Sequence, residues 1–350
     1  MMTKNWMKRS VMTALPLLMI VSGSTADARE VVDMAGRNVS VPDSITKVFV
    51  PSPYGSYMMY SIDPAMLVNL KISSEEDKQL LHKAVHDLPA IGRLSSKDRQ
   101  TTMQALLEAK PDIVLMWSSN KTAAMNPRPN EMLDQLNVPV VYAVAESIHD
   151  YPAVYLFLGE LLGRQARAKE LSDYFRDTLA EAERLIGRTP KKDRPTVYYA
   201  EGDDGLKTEC NDSIHVEVLR IAGDADVHRC HTASHMGMEP ITLEQLRRYN
   251  PDVIIAQQKT FYDMVVNGKD PAWQDIRAVK DGRIYLIPRS PFNWFDRPPS
   301  FMRIMGLKWL MNILYPQHYN LDIIKEARDF YRLFLGVDVS GEQMHRIIYR

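Results

Sequence analysis

Twice in 350 residues the chain passes from a helix end, through a Pro-Asp turn, directly into an unbroken apolar run. The first instance is Leu106-Leu107-Glu108-Ala109-Lys110-Pro111-Asp112-Ile113-Val114-Leu115-Met116-Trp117, and the second is Glu244-Gln245-Leu246-Arg247-Arg248-Tyr249-Asn250-Pro251-Asp252-Val253-Ile254-Ile255-Ala256. A strand that is apolar on both faces belongs in the middle of a largely parallel sheet with helices on either side. One such unit in each half of the chain predicts two α/β lobes. Further strands are expected at 47–50, 138–143, 196–200 and 283–287, each beside turn or helix signals.

Between the halves, residues 148–188 carry apolar positions at helical spacing, from Val154 and Leu158 to Leu185 and Ile186, before Gly187-Arg188-Thr189-Pro190 ends the pattern. Thirty-odd helical residues at ~1.5 Å each exceed about 45 Å, enough to run along two domains. The segment therefore reads as a single stiff connector. Three more helices are expected at 300–314, 322–335 and 340–348.

The N-terminus has a basic end (Lys4, Lys8, Arg9), an apolar stretch from Val11 to Val21 and an Ala26-Asp27-Ala28 site, the three parts of a cleavable secretory leader over residues 1–28. The apolar stretch is well short of the ~20 residues of a membrane span, and no cysteine stands near the cut for lipid attachment. The expected location is the periplasm. A net charge of −1, from 43 basic and 44 acidic residues, gives no field for a nucleic-acid partner. Export alters the reading of Cys210 and Cys230, the only two cysteines. An oxidising compartment favours joining them, a staple contributing about 3 kcal/mol. The alternative is a metal site in which Cys210 and Cys230 join His231 and His235, whose i, i+4 spacing would share a helix face.

The opening of the mature chain, Val32-Asp33-Met34-Ala35-Gly36-Arg37-Asn38-Val39-Ser40-Val41-Pro42, resembles the N-terminal hairpin of the periplasmic substrate-binding proteins that serve ferric-siderophore, haem and cobalamin ABC importers. The two Pro-Asp units, the long mid-chain helix and Val279-Lys280-Asp281-Gly282-Arg283-Ile284-Tyr285-Leu286-Ile287-Pro288 fit that family in the same order. The resemblance implies the class III architecture: an N-terminal lobe (29–147), a connecting helix (148–188) and a C-terminal lobe with terminal helices (189–350), with ligand held between the lobes. It implies a monomer that binds and delivers, performs no chemistry and has no intrinsic cofactor. Its partners would be an inner-membrane permease and its ATPase, and its cargo a metal chelate, foremost a ferric siderophore. Haem, cobalamin and nickel or cobalt chelates are the alternatives within the family, and a zinc hydrolase built on the Cys/His cluster is the alternative outside it. Family members present one carboxylate per lobe to the permease. Glu244 matches that position in the second lobe, whereas the first lobe has Gln104, with Glu108 one helical turn on as a substitute.

Ligands of open α/β sheets sit beyond the carboxyl ends of the strands. The corresponding loops offer Ser52, Tyr54 and Tyr57, Trp117 and Ser118, and Tyr262. The loop Arg289-Ser290-Pro291-Phe292-Asn293-Trp294-Phe295-Asp296-Arg297-Pro298-Pro299 adds aromatic faces and two guanidiniums, the set a planar or anionic ligand requires. Arg289, Trp294, Phe295 and Arg297 are its candidate contacts. The competing role for these residues is structural: aromatics anchoring the loop, and Arg297 paired with a carboxylate.

Overall fold

The computed structural model describes residues 28–91, 99–126, 131–232 and 237–349. The leader expected over 1–28 lies outside these residues apart from Ala28. Strands β1 (Ala28–Val32) and β2 (Asn38–Pro42) form an antiparallel hairpin. Asp33 organises its turn: the buried carboxylate accepts from the backbone N–H of Ala35, Arg37 and Tyr142, and pairs with the Arg37 guanidinium at 2.7 Å. Arg37 in turn lies over the Tyr142 ring, fastening the hairpin to the first lobe.

That lobe is built on a parallel sheet of β3 (Val48–Phe49), β4 (Ile113–Ser118) and β5 (Val140–Val144), in that order. The second lobe repeats the plan with β6 (Val197–Ala200), β9 (Val253–Ala256) and β10 (Ile284–Leu286) in spatial order β10-β9-β6; β7 (Lys207–Thr208) and β8 (Glu239–Pro240) form a small antiparallel pair. The repeated Pro-Asp unit now has a physical account. In each lobe the helix before it ends on a residue in the left-handed region, Lys110 (φ 49°) or Asn250 (φ 42°), whose N–H bonds back to Leu106 or Leu246. The aspartate then reaches the start of the neighbouring strand. Asp112 accepts from the N–H and Oγ1 of Thr46 and from the N–H of Lys47, and Asp252 accepts from the N–H and Oγ1 of Thr196. These charge-assisted bonds hold the register of β3 on β4 and of β6 on β9.

The expected connector is not a single helix. Residues 151–188 fold as two helices, Tyr151–Leu162 and Gln165–Arg188, because Gly163 adopts φ 66° and caps the first. Gly159 lets the two approach closely: a Cβ there would lie 2.4 Å from that of Ala168. The first helix belongs to the N-terminal lobe. The second, 24 residues and about 36 Å long, alone connects the lobes. Its Arg167 donates to the carbonyls of Ser61 and Leu333, and its C-terminal turn receives Arg194 on the Ile186 carbonyl.

The lobes meet over a shared aromatic core. Phe334 stacks on Phe330 at 4.3 Å and contacts Phe301 and Phe175, and Phe175 contacts Tyr155. Phe330 and Phe334 come from the helix Ile323–Leu335, capped by Asp322; the final helix Gly341–Ile348, capped by Ser340, packs beside it.

Candidate functional site

The loops after β3, β4 and β5 converge at the junction of the lobes on a cavity of about 290 Å³. The N-terminal lobe contributes Ser52, Tyr54, Trp117, Ser119, Ala145, Ser147 and Tyr151, and the C-terminal lobe Ile214, His215, Pro299 and Arg303. The helix Pro53–Ile62 begins at this wall with Ser52 as its N-cap, and the Ser52 side chain makes no capping bond. Its positive end therefore points at the cavity with a hydroxyl beside it. Gly55 permits this, since a Cβ there would strike Val50 at 2.7 Å.

Arg303, only 1% exposed, is the cationic wall. It opens the helix Arg303–Leu314, whose other buried positions are apolar or glycine. Its guanidinium pairs with Glu217 at 3.0 Å and donates to the Ile214 carbonyl, while Nε has no acceptor among the described residues. Burial works against its charge, but Glu217, Tyr151 and Asp296 hold its pKa above the ordinary value. Tyr151 stands within hydrogen-bonding reach of Arg303, and burial raises its hydroxyl pKa. His215 Nδ1 lies 2.5 Å from the fully buried Asp296, a contact that orients the imidazole ring.

Of the residues the sequence nominated, the structure brings Ser52, Tyr54 and Trp117 to the cavity. Tyr57 turns inward and stacks on Phe292 at 3.8 Å; burial, with Asp77 second, pushes its hydroxyl up to about 12. Ser118 closes a turn with Asn120 and cedes its place to Ser119. Tyr262 lines a separate hollow of about 570 Å³ with Tyr285, Trp309 and Tyr349. The rings of the aromatic loop are buried as core, Phe292 alone among them reaching the first lobe, while Pro299 at the loop's end lines the cavity. Trp294 is fully buried and donates to Tyr331, Phe295 packs on Tyr199, and Phe292 reaches Tyr57 and Tyr60 of the first lobe. The physical reason is that a run of large apolar rings is worth most where two surfaces must be joined dry. Arg289 is exposed and donates to the Gln257 carbonyl. Arg297 is held between two buried carboxylates, Glu201 and Glu209. Burial pushes Glu201 up to about 7, against the pull of Arg297 and with the help of Glu209.

Sequence reasoning reached the loop that holds Ser119 without choosing that residue, and missed Ser147, Tyr151, His215 and Arg303 as cavity residues. The signal for Arg303 was present: a lone guanidinium near the start of the apolar run Phe301-Met302-Arg303-Ile304-Met305-Gly306-Leu307 has to be buried and paired.

Cys210 and Cys230 are disulfide-bonded, with Cα atoms 4.9 Å apart. They therefore offer no thiolate to a metal, although they gather with His228. His231 is fully exposed and faces Asp212; His235 lies outside the described residues. Glu244 stands exposed on the first turn of the helix Leu243–Tyr249, 3.2 Å from Arg248, and Gln104 donates to Glu108 on the exposed face of the helix Arg99–Ala109.

Two parallel-sheet lobes, one long connecting helix and a polar cavity at their junction define a solute-binding protein of the two-lobe class. Comparison with known proteins places it more closely. Residues 77–291 match the model of the periplasmic binding protein family, and the chain belongs to that family. An ABC transporter solute-binding protein from Sulfurospirillum deleyianum superposes with a TM-score of 0.81 at 34% identity, covering 91% of this chain and 98% of that one. The molybdate-binding protein MolA of Haemophilus influenzae is 25% identical over 94% of this chain and 97% of its own length. The high-affinity heme uptake system protein IsdE of Staphylococcus aureus is 24% identical over 59% of this chain and 68% of its own. The protein is thus an extracytoplasmic solute-binding component of an ABC transporter, a carrier and not an enzyme.

Proposed function

We propose that the cleft captures a small tetrahedral oxyanion of the molybdate and tungstate class and that the protein delivers it to an ABC permease. The observation that carries this reading is the cavity: about 290 Å³, lined by the hydroxyl-bearing residues Ser52, Tyr54, Ser119, Ser147 and Tyr151 and by the buried Arg303. The space stands at the lower end of the roughly 300–1,000 Å³ of drug-sized pockets, so it favours a compact cargo, with room for bound water beside it, over a macrocycle. Short hydroxyl donors, a helix N-terminus and one guanidinium are what a compact anion needs. MolA, 25% identical over 94% of this chain, supports the same class. A ferric siderophore or haem, the cargo class expected from the sequence, was matched to the rings of the 289–299 loop; those rings are buried as core, which leaves Tyr54, Trp117 and Tyr151 as the aromatic lining of the cavity. The partial match to IsdE favours haem as the second reading, which requires the lobes to part.

In this reading a cleaved leader over 1–28 exports the chain to the periplasm, where it acts as a monomer. Glu244 and the Gln104–Glu108 pair face the permease, one position per lobe. Titration of tryptophan fluorescence, with Trp117 at the cavity, against molybdate, tungstate, sulfate, phosphate, haemin and a ferric triscatecholate tests the cargo. Molybdate and tungstate are expected to saturate the signal ahead of the other anions. Binding of haemin or the ferric chelate, with no response to millimolar molybdate, overturns the proposal.

A further inference from the structure

The cleft arginine is held by a carboxylate that also touches the opposite lobe. Glu217 Oε2 lies 3.0 Å from Arg303 Nη1, and both residues are buried. The same carboxylate accepts the backbone N–H of Ile148 at 3.2 and 3.3 Å. Ile148 directly follows Ser147 on the cavity wall, and Tyr151, one turn further, stands beside Arg303. A single buried carboxylate therefore joins the cationic wall contributed by the second lobe to the hydroxyl-bearing wall contributed by the first.

We propose that Glu217 is the positioning and charge-setting residue of this site. One oxygen aims Arg303, both oxygens anchor the Ser147–Tyr151 wall, and the negative charge offsets the guanidinium. The cleft consequently sorts tetrahedral oxyanions by the geometry of its donors more than by their charge. The inference rests on the oxyanion reading and deepens it. The other charged and titratable groups around Arg303 are Asp296, His215 and Tyr151, with Arg297, Glu201 and Glu209 beyond Asp296. All of them remain in the variants below and cancel in the comparison.

Molybdate and perrhenate are tetrahedral tetraoxo anions of similar size, the first a dianion and the second a monoanion. Removing the Glu217 charge without its volume leaves Arg303 uncompensated, and because Coulomb energy scales with the product of charges, the dianion gains more than the monoanion. Calorimetric titration of the mature protein at neutral pH reads this directly. In Glu217→Gln the ratio of molybdate to perrhenate affinity is expected to rise about tenfold over wild type, a change that a merely structural role would not produce. Glu217→Asp keeps the charge but is too short to serve both partners. It is expected to weaken both anions by a common factor of at least fivefold with the ratio unchanged, and it carries the test if the glutamine variant fails to fold. An unchanged ratio in folded Glu217→Gln, or wild-type affinities in Glu217→Asp, overturns the role of Glu217. A wild-type protein that binds neither anion overturns the oxyanion reading and this inference with it.

Discussion

Asp226 gives the sharpest stability test. It sits at the edge of the second sheet, bridging Val197, and is 2% exposed. Oδ1 accepts the N–H of His228 at 3.0 Å, while Oδ2 has no partner among the described residues. Burial dominates and pushes its pKa up to about 7, against smaller lowering contributions from the His228 N–H and Arg229. In the unfolded chain the group titrates near 3.9. The folded state therefore holds the proton more tightly, and folding stability from this group is lost as pH rises from about 4 through about 7. Three units at 1.36 kcal/mol each correspond to about 4 kcal/mol above pH 7, an upper figure because local relaxation and water entry reduce it. Asp226→Asn retains the acceptor for His228 and never ionises. Urea denaturation at pH 4.5, 6, 7 and 8 should find the two proteins within about 1 kcal/mol at the acid end and the variant more stable by about 2–4 kcal/mol at pH 8. Glu201 titrates in the same window, but it is present in both proteins and drops out of the difference. A gap that stays flat with pH, or that favours wild type as pH rises, would refute the reasoning.

Arg303→Met should abolish oxyanion binding by at least a hundredfold in titration calorimetry. Because Glu217 would be left buried and unpaired, it should also lower the denaturation midpoint, by about 3–5 kcal/mol of stability. Gly306→Ala would put a methyl 1.9 Å from the Trp294 carbonyl oxygen; the helix Arg303–Leu314 and the aromatic loop would have to separate, at a cost of about 2–3 kcal/mol visible in thermal melts. Asp112→Ala and Asp252→Ala, which remove the strand stitches of the two lobes, should each cost about 1–3 kcal/mol in urea denaturation, Asp252→Ala also releasing Arg277. Replacing both Cys210 and Cys230 by serine should cost about 3 kcal/mol on the chain-entropy account, measured by denaturation under non-reducing conditions.

The fold was legible wherever the deciding forces are local. The Pro-Asp turns, the apolar strands beside them and the caps Asp322 and Ser340 act within a few residues, so their sequence signals survive into the structure. The connector was misread at one point because Gly163 can continue a helix or cap it, and the choice depends on whether the next helix has a partner to fold back on; here Gly159 and Ala168 provide the contact. The site was legible in its N-terminal loops, where β3 and β4 aim Ser52, Tyr54 and Trp117 beyond the sheet. It was not legible in the 289–299 loop. Composition said that rings and guanidiniums were there; which surface they would cover could not be read from spacing, since Phe292 finds its partner Tyr57 more than two hundred residues away.

By itself, the sequence determined two α/β lobes, their strand positions and the long helix between them, because backbone propensity, capping and hydrophobic period are short-range. Only the tertiary structure decided which polar groups face the cavity. Arg303, Glu217, Ile148 and Tyr151 meet across the lobe junction, and burial there sets whether a charge is paired, aimed or excluded, a property of the packed whole that no local segment carries.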